Sequence, residues 1–206
     1  MSTLRLVVYS DYLCPWCYNA AVRLERLEAE LAGRVELTWR TYLLRPEPDP
    51  RRSLEKFRRY TQSWLTPASE PDAGAFQTWQ GDAGPPSHSI PPHLVAKAAA
   101  SLGGDAFRRI HRALLEAYFG HSRDITDRDT LRAIWLACGL PEQELDRAAE
   151  PHVLEQTLAE HAEAIRLGMN GVPSVHVDGD DAFVTGAYPL DMYRRWVERR
   201  LAAAGA

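Results

Sequence analysis

The 206-residue sequence has little cysteine, no long apolar run and no excess of positive charge. Its three cysteines are too few for a framework of structural disulfides. No stretch approaches the roughly 20 apolar residues that a membrane-spanning helix needs. The formal net charge of -4 leaves no basic excess to neutralise phosphates. The composition therefore predicts a folded protein with no nucleic-acid partner and no membrane partner.

Two local features fit this interpretation. The first apolar run extends only from Leu6 to Tyr9, and no small-residue cleavage site follows it, so it does not resemble a secretory signal peptide. We therefore expect a cytoplasmic protein, where structural disulfides are rare. The arginines between residues 51 and 59 are interleaved with acidic and apolar residues, which favours a solvated helix face over a polyanion site.

Two of the three cysteines, Cys14 and Cys17, stand close together in the stretch DYLCPWC, residues 11–17. A disulfide between residues three apart closes too small a loop to stabilise a fold strongly. A structural zinc site needs four ligands, and Cys138 has no cysteine or histidine at ligand spacing. The spacing therefore favours redox chemistry over a metal site, with a pair of inert core thiols as the remaining alternative.

The pattern around this pair predicts a β-α-β unit and an α/β fold. Leu4–Ser10 is typical of a buried strand, Trp16–Leu31 has helical spacing, and Val35–Trp39 alternates like a second strand. Cys14 then lies at the helix N-terminus, where free amides and the helix dipole stabilise a thiolate. We expect Cys14 to attack a substrate disulfide, and the more buried Cys17 to resolve the mixed disulfide.

The rest of the chain is mostly helical in its spacing. Helices are predicted at residues 53–65, 91–102, 105–118, 127–138 and 151–168, with a short helix after Pro141. Residues 66–92, rich in Pro, Gly, Ser, Ala and Asp, are predicted to be irregular. Asp178-Gly179 predicts a hairpin between strands at 174–177 and 182–185, and a helix at 189–204 follows.

A second motif, Gly171-Val172-Pro173-Ser174, stands before this hairpin. Together with DYLCPWC it resembles the DsbA-type thioredoxin-fold oxidoreductases, and most nearly their cytosolic FrnE-like branch. The resemblance covers nearly the whole chain. It implies a thioredoxin-like fold interrupted by an all-helical insertion. Residues 1–46 and 151–206 form the discontinuous thioredoxin-like domain, and 47–150 form the insertion.

The resemblance also implies a set of site residues. Pro173 is expected to be cis and close to Cys14, and the Val172 backbone to pair with an extended substrate. Pro15 and Trp16 are expected beside the substrate. Trp16 stands where the periplasmic relative has histidine, which implies a less oxidising disulfide. The implied activity is thiol–disulfide exchange on protein or small-molecule disulfides, with no bound cofactor or metal.

Two further side chains have two interpretations each. Asp11 is either a buried acid that moves protons for Cys17 or a turn or capping residue. His93 either lines the substrate groove, since a histidine near this place recurs in the family, or has a surface or capping role. Trp64, Phe76 and Trp79 border the irregular segment, and they are expected to anchor it to the core rather than to form a substrate wall.

The fold is shared by proteins with other activities. One alternative is a glutathione-dependent transferase or isomerase of the kappa or 2-hydroxychromene-2-carboxylate isomerase type. Serine typically stands at the position of Cys14 in those enzymes, so two cysteines favour disulfide exchange, with glutathione as a candidate co-substrate. A third alternative is a chaperone-like peptide binder whose cysteines only sense oxidation. The sequence predicts neither the physiological partner, the direction of electron flow nor the oligomeric state.

Overall fold

The computed structural model describes residues 3–49, 51–180 and 182–204. Its sheet contains four strands in the spatial order β2-β1-β3-β4. The strands are β1 (Leu4–Ser10), β2 (Val35–Thr41), β3 (Ser174–Val177) and β4 (Phe183–Thr185). β2 pairs with β1 in parallel, whereas β3 is antiparallel to β1 and to β4. The predicted α/β class is therefore confirmed, and the late hairpin joins the sheet formed by the N-terminal strands.

Helix α1 (Pro15–Glu30) connects β1 to β2. Its apolar residues recur on one face, and Ala20, Leu24 and Leu27 on that face have no exposed surface. They pack with β1 and with the C-terminal helix α8 (Leu190–Ala204) in one apolar cluster. This packing fixes the first turn of α1, and therefore both cysteines, relative to the sheet.

The remaining helices come between β2 and β3 along the chain. They are α2 (Leu54–Tyr60), α3 (Leu65–Ala68), α4 (Ile90–Ser101), α5 (Ala106–Phe119), α6 (Arg128–Ala137) and α7 (Pro151–Arg166). Two 3₁₀ segments, Thr61–Trp64 and Glu142–Ala149, complete this part. Within the described ranges, no helix combines the length and the apolar character needed to cross a bilayer.

The predicted helix over residues 53–65 is divided in the structure. The α-helix ends at Tyr60, and a 3₁₀ turn begins at Thr61. The Thr61 hydroxyl donates to the Arg58 carbonyl at 2.8 Å and accepts the Trp79 N–H at 3.0 Å. A threonine side chain that bonds to the backbone competes with the helical ladder, and here it ties the turn to the irregular segment.

The segment between α3 and α4 has no helix or strand, in agreement with the prediction for residues 66–92. Trp79 is 2% exposed and Trp64 is fully buried, and both pack against the Phe57 ring. Phe76, which is half-buried, stacks near Tyr18 of α1. The expectation that these aromatic residues anchor the segment to the core is therefore confirmed.

Candidate active site

Cys14 is the residue that caps the N-terminus of α1. Its backbone is extended (φ -96°, ψ 113°), and its sulfur accepts the Cys17 N–H at 3.3 Å. Pro15 follows as the first helical residue. An N–H at this position has no carbonyl partner within the helix, so its absence in proline loses no hydrogen bond. A sulfur in this position faces the free amides and the positive end of the helix dipole.

The loop before β3 brings a distant part of the chain to this sulfur. The Val172–Pro173 peptide bond is cis. The Cys14 thiol donates to the Val172 carbonyl at 3.4 Å, across 158 positions of sequence. Cys14 is 5% exposed, and its neighbours Pro15, Trp16 and Val172 are all half-buried. The structure thus brings the Val172–Pro173 loop to the Cys14 sulfur, which is itself almost fully covered.

Cys17 lies one turn further into the protein and has no exposed surface. Burial raises its pKa well above the ordinary value, and the hydrogen bond with Cys14 adds to the shift. At neutral pH, Cys17 is therefore a protonated thiol that must lose its proton before it can attack a disulfide. Both cysteines are unpaired in this structure.

Asp11 is a buried acid that also makes the hydrogen bonds of a turn residue. Its carboxylate accepts the Leu13 N–H at 2.6 Å, as a turn residue does, and the Leu44 N–H at 2.7 Å. The residue is also fully buried, and burial raises its pKa from 3.8 to about 6, against the opposing effect of a hydrogen bond with Ser89. A carboxyl with this pKa can accept a proton near neutral pH.

Replacing Asp11 with asparagine is expected to remove a pH-dependent loss of stability. Because the native pKa of about 6 lies above the ordinary value of 3.8, folding favours the protonated acid. This contribution is fully present below about pH 4 and is lost as the pH rises through 6, by about 3 kcal/mol in total. Urea denaturation from about pH 4 to pH 8 measures the difference between wild type and Asp11→Asn.

The matched control is Asp82→Asn, since the Asp82 side chain is fully exposed and pairs only with Arg58 among the described residues. Its stability curve should run parallel to that of the wild type over the same range. If the Asp11→Asn curve also runs parallel, the raised pKa of Asp11 is contradicted.

His93 lies neither on the surface nor at a helix end. It is 6% exposed, within α4. Its ring packs 4.8 Å from the Tyr12 ring, and its Nδ1 lies 3.4 Å from the Thr41 hydroxyl. The surface and capping roles are therefore wrong. The cavity that His93 lines is not lined by Cys14 or by Pro173.

Cys138 lies half-buried at the C-terminal end of α6. Burial raises the pKa of its thiol, which disfavours the reactive thiolate. Among the residues that the structure describes, no group of three or more His, Cys, Asp and Glu side chains has the arrangement of a metal site.

The sequence interpretation missed a pocket of about 310 Å³ beside the active-site turn. It is lined by Leu13, Leu44, Arg45, Arg52, Tyr60 and Tyr118. Arg58 and Arg59 form surface ion pairs, as expected for a solvated face. Arg52 differs from them, since it is half-buried and lies 5.0 Å from the centre of the Phe57 ring. The alternation of these arginines with acidic residues predicted one solvated face for all of them. The different environment of Arg52 depends on tertiary contacts that the local sequence does not show.

The fold and the geometry of the two thiols define a protein of the thioredoxin-fold class. A family model described as a DSBA-like thioredoxin domain matches residues 5–198. The chain therefore belongs to the DSBA-like thioredoxin domain family, and at the family level its function is thiol–disulfide oxidoreduction. The predicted DsbA-type relationship is confirmed, and the FrnE-like branch is consistent with these matches.

Solved structures of related proteins cover nearly the whole chain. The cytosolic disulfide reductase DsbM from Pseudomonas aeruginosa is 20% identical, with a TM-score of 0.77 over 97% of this chain and 100% of that chain. The same reductase solved with GSH has a TM-score of 0.76, again with 20% identity over 97% and 100% of the two chains. A putative protein disulfide isomerase from Nitrosomonas europaea is 18% identical, with a TM-score of 0.76 over 98% of this chain and 99% of that chain.

One curated relative matches at similar length. The uncharacterized protein YwbO from Bacillus subtilis is 22% identical over 94% of this chain and 95% of its own length. At these identities the solved structures show a common fold over nearly the whole chain.

Proposed function

We propose that the protein exchanges thiols and disulfides through Cys14 and Cys17, on protein or small-molecule disulfides, in the cytoplasm. The observation that carries the proposal is the position of the Cys14 sulfur, at the N-terminus of α1 and in contact with the carbonyl of the cis Val172–Pro173 peptide. One sulfur thus lies at the helix N-terminus, and the other is held one turn inside.

In the reductive direction, the Cys14 thiolate attacks one sulfur of a substrate disulfide. A bond forms between Cys14 and that sulfur, and the other substrate sulfur leaves as a thiolate. The Cys17 thiol then loses its proton and attacks the Cys14 sulfur, which forms the Cys14–Cys17 disulfide and releases the second substrate thiolate. The reverse sequence oxidises a substrate dithiol.

Asp11 is the side chain that we assign to the proton of Cys17. It is buried in the same turn, and its backbone hydrogen bonds to Cys17. Its pKa of about 6 makes it a proton acceptor at neutral pH when Cys17 must ionise. Proton transfer to Asp11 therefore precedes the second attack.

The loop at Val172 and Pro173 is assigned to the substrate. Pro173 is buried, and Val172, whose carbonyl accepts from the Cys14 thiol, is half-buried. An extended substrate segment gains affinity from backbone hydrogen bonds, and the exposed part of Val172 offers its backbone for this pairing. Pro15 and Trp16, which are half-buried and follow Cys14 directly, are assigned to the substrate as well.

Glutathione is proposed as a co-substrate because of the charge beside the active-site turn. Arg45 and Arg52 line the 310 Å³ pocket next to Leu13, and neither forms an ion pair with any carboxylate in the described part of the chain. Two such arginines favour a thiol that carries a carboxylate. The DsbM structure with GSH shows that a protein of this fold can take this tripeptide. In this proposal glutathione reduces the Cys14–Cys17 disulfide.

The experiment uses Cys17→Ser to stop the reaction at the mixed disulfide. Incubation with intact insulin or oxidised glutathione should leave one substrate sulfur bound to Cys14 as a mixed disulfide, released by dithiothreitol and visible by mass spectrometry. The matched control is the double variant Cys14→Ser, Cys17→Ser, which should trap nothing. If the double variant traps as much, or if Cys17→Ser traps nothing, the proposed function is wrong.

A further inference from the structure

Helix α7 carries a row of apolar side chains on its exposed surface. Leu154, Leu158 and Ile165 are 39%, 44% and 51% exposed. Residues four and seven apart share one side of a helix, and Ala162, which is also exposed, lies in the same row. These four residues are called the α7 stripe below. The stripe spans about three helical turns.

The α7 stripe is distinct from the face that α7 buries. The buried residues of this helix are Val153, Thr157 and Ala164. The α7 stripe is centred roughly 115° around the helix axis from them. Single exposed apolar residues are normal on a protein surface, whereas a continuous row of them marks an interaction site. The α7 stripe therefore indicates a surface that a partner covers.

The spacing of the α7 stripe is nearly the same in both directions along the helix. Leu154 and Ile165 lie six residues before and five residues after position 160, and Leu158 and Ala162 lie two residues on either side of it. A second α7, packed antiparallel around a two-fold axis near position 160, would set Leu154 of each copy opposite Ile165 of the other. Leu158 would lie opposite Ala162, whose small side chain lets the helices approach closely. The facing residues differ in height by less than about 2 Å.

Two charged residues beside the α7 stripe lack a partner of opposite charge within the described part of the chain. Glu155 and Arg166 are both exposed and lie on the same flank of the α7 stripe. Glu163, one turn before Arg166, pairs with Arg40 instead. Glu155 and Arg166 are about 16 Å apart along the helix, so they cannot pair with each other in one copy.

The same two-fold axis would bring these charges together. A two-fold rotation that reverses the helix direction keeps each flank on its own side, so the flank with Glu155 and Arg166 meets itself. Glu155 lies five residues before position 160 and Arg166 six residues after it. The glutamate of each copy then lies opposite the arginine of the other, at two places in the dimer. A partner without this charge pattern would leave both residues unpaired, so charge complementarity favours a second copy of this chain.

We propose that the α7 stripe is the interface of a symmetric homodimer, in which the α7 helices of two copies pack antiparallel. One helix face of three turns is a small interface, so the association is reversible, with a Kd of roughly 10–100 µM. The α7 stripe includes neither Cys14 nor Cys17, and the dimer does not depend on the proposed exchange reaction.

Sedimentation velocity at protein concentrations from about 1 µM to about 1 mM measures the association. Leu158→Glu places a carboxylate at the centre of the interface and should weaken the dimer at least about tenfold. The matched control is Leu136→Glu, which replaces a leucine of α6 that is 39% exposed and lies outside the α7 stripe. This control and Cys14→Ser should both dimerise like the wild type.

Charge reversal tests the two-fold arrangement itself. Glu155→Arg and Arg166→Glu each set like charges opposite each other at two places, and each should weaken the dimer at least about fivefold. The double variant restores opposite charges and should dimerise within about twofold of the wild type. Since all the replaced side chains are exposed, the far-UV circular dichroism of every variant should match that of the wild type.

Three results would overturn the proposal: a wild type that stays monomeric up to about 1 mM, a Leu158→Glu variant that dimerises equally well, or a double variant no better than the single ones. A monomeric wild type whose Leu158→Glu variant reduces insulin more slowly would also overturn it, because the α7 stripe would then bind substrate chains.

Discussion

Cys14→Ser is expected to lower the rate of insulin disulfide reduction by at least about 10³-fold. A serine at the first residue before α1 keeps the capping oxygen for the Cys17 N–H but does not ionise at neutral pH and forms no disulfide. Fold and stability should therefore be retained while the reaction is lost. Turbidity of precipitating insulin chains, with dithiothreitol as reductant, measures the rate.

The control for this prediction is Cys138→Ser. Cys138 is the remaining cysteine and lies half-buried at the end of α6, so its loss should change the rate by less than about twofold. If Cys14→Ser keeps most of the activity, Cys14 is not the nucleophile. The peptide-binding alternative, in which the cysteines only sense oxidation, then becomes the better account.

Arg23→Met is expected to lower the free energy of unfolding by about 3–5 kcal/mol. The Arg23 side chain is fully buried in α1, and its guanidinium donates to the carbonyls of Ala187 and Tyr188 at 2.9 and 3.1 Å. It also donates to the Pro71 carbonyl at 2.8 Å and to Glu70 at 3.3 Å. Methionine fills much of the volume but leaves three carbonyls without this donor.

Urea denaturation at neutral pH measures the change. The control is Arg26→Met, one turn along the same helix, whose side chain is 54% exposed and pairs with Glu30 and Asp72. Exposed ion pairs contribute little, so this variant should lose less than about 1 kcal/mol. Equal effects of the two substitutions would show that Arg23 does not join the loop after β4 to the irregular segment as strongly as its contacts indicate.

The order of strands and helices was predictable because local pattern and tertiary structure agree. Apolar spacing located β1, α1 and β2 to within a few residues, and Asp178-Gly179 located the late hairpin. The placement of Cys14 at the start of α1 also followed from local sequence, since Pro15 suits a first helical turn. The domain boundaries after residues 46 and 150 stay a prediction.

The parts that sequence could not predict depend on partners far along the chain. The second hydrogen bond of Asp11 comes from Leu44, 33 positions away, and this contact needs the end of β2 beside the active-site turn. Thr61 breaks its helix because Trp79 is within reach of its hydroxyl. The burial of His93 could not be predicted from spacing, because its neighbours Tyr12 and Thr41 come from distant parts of the chain.

The 5% exposure of Cys14 has a consequence for what the enzyme can accept. Attack on a disulfide requires three sulfur atoms nearly in line, so the incoming pair must reach an almost fully covered sulfur from one direction. A disulfide held between rigid elements of a folded partner meets this requirement less readily than one in a loose chain. Chains that are still loose, and peptides of a few residues, are small enough to enter, so steric access favours unfinished or short substrates over mature ones.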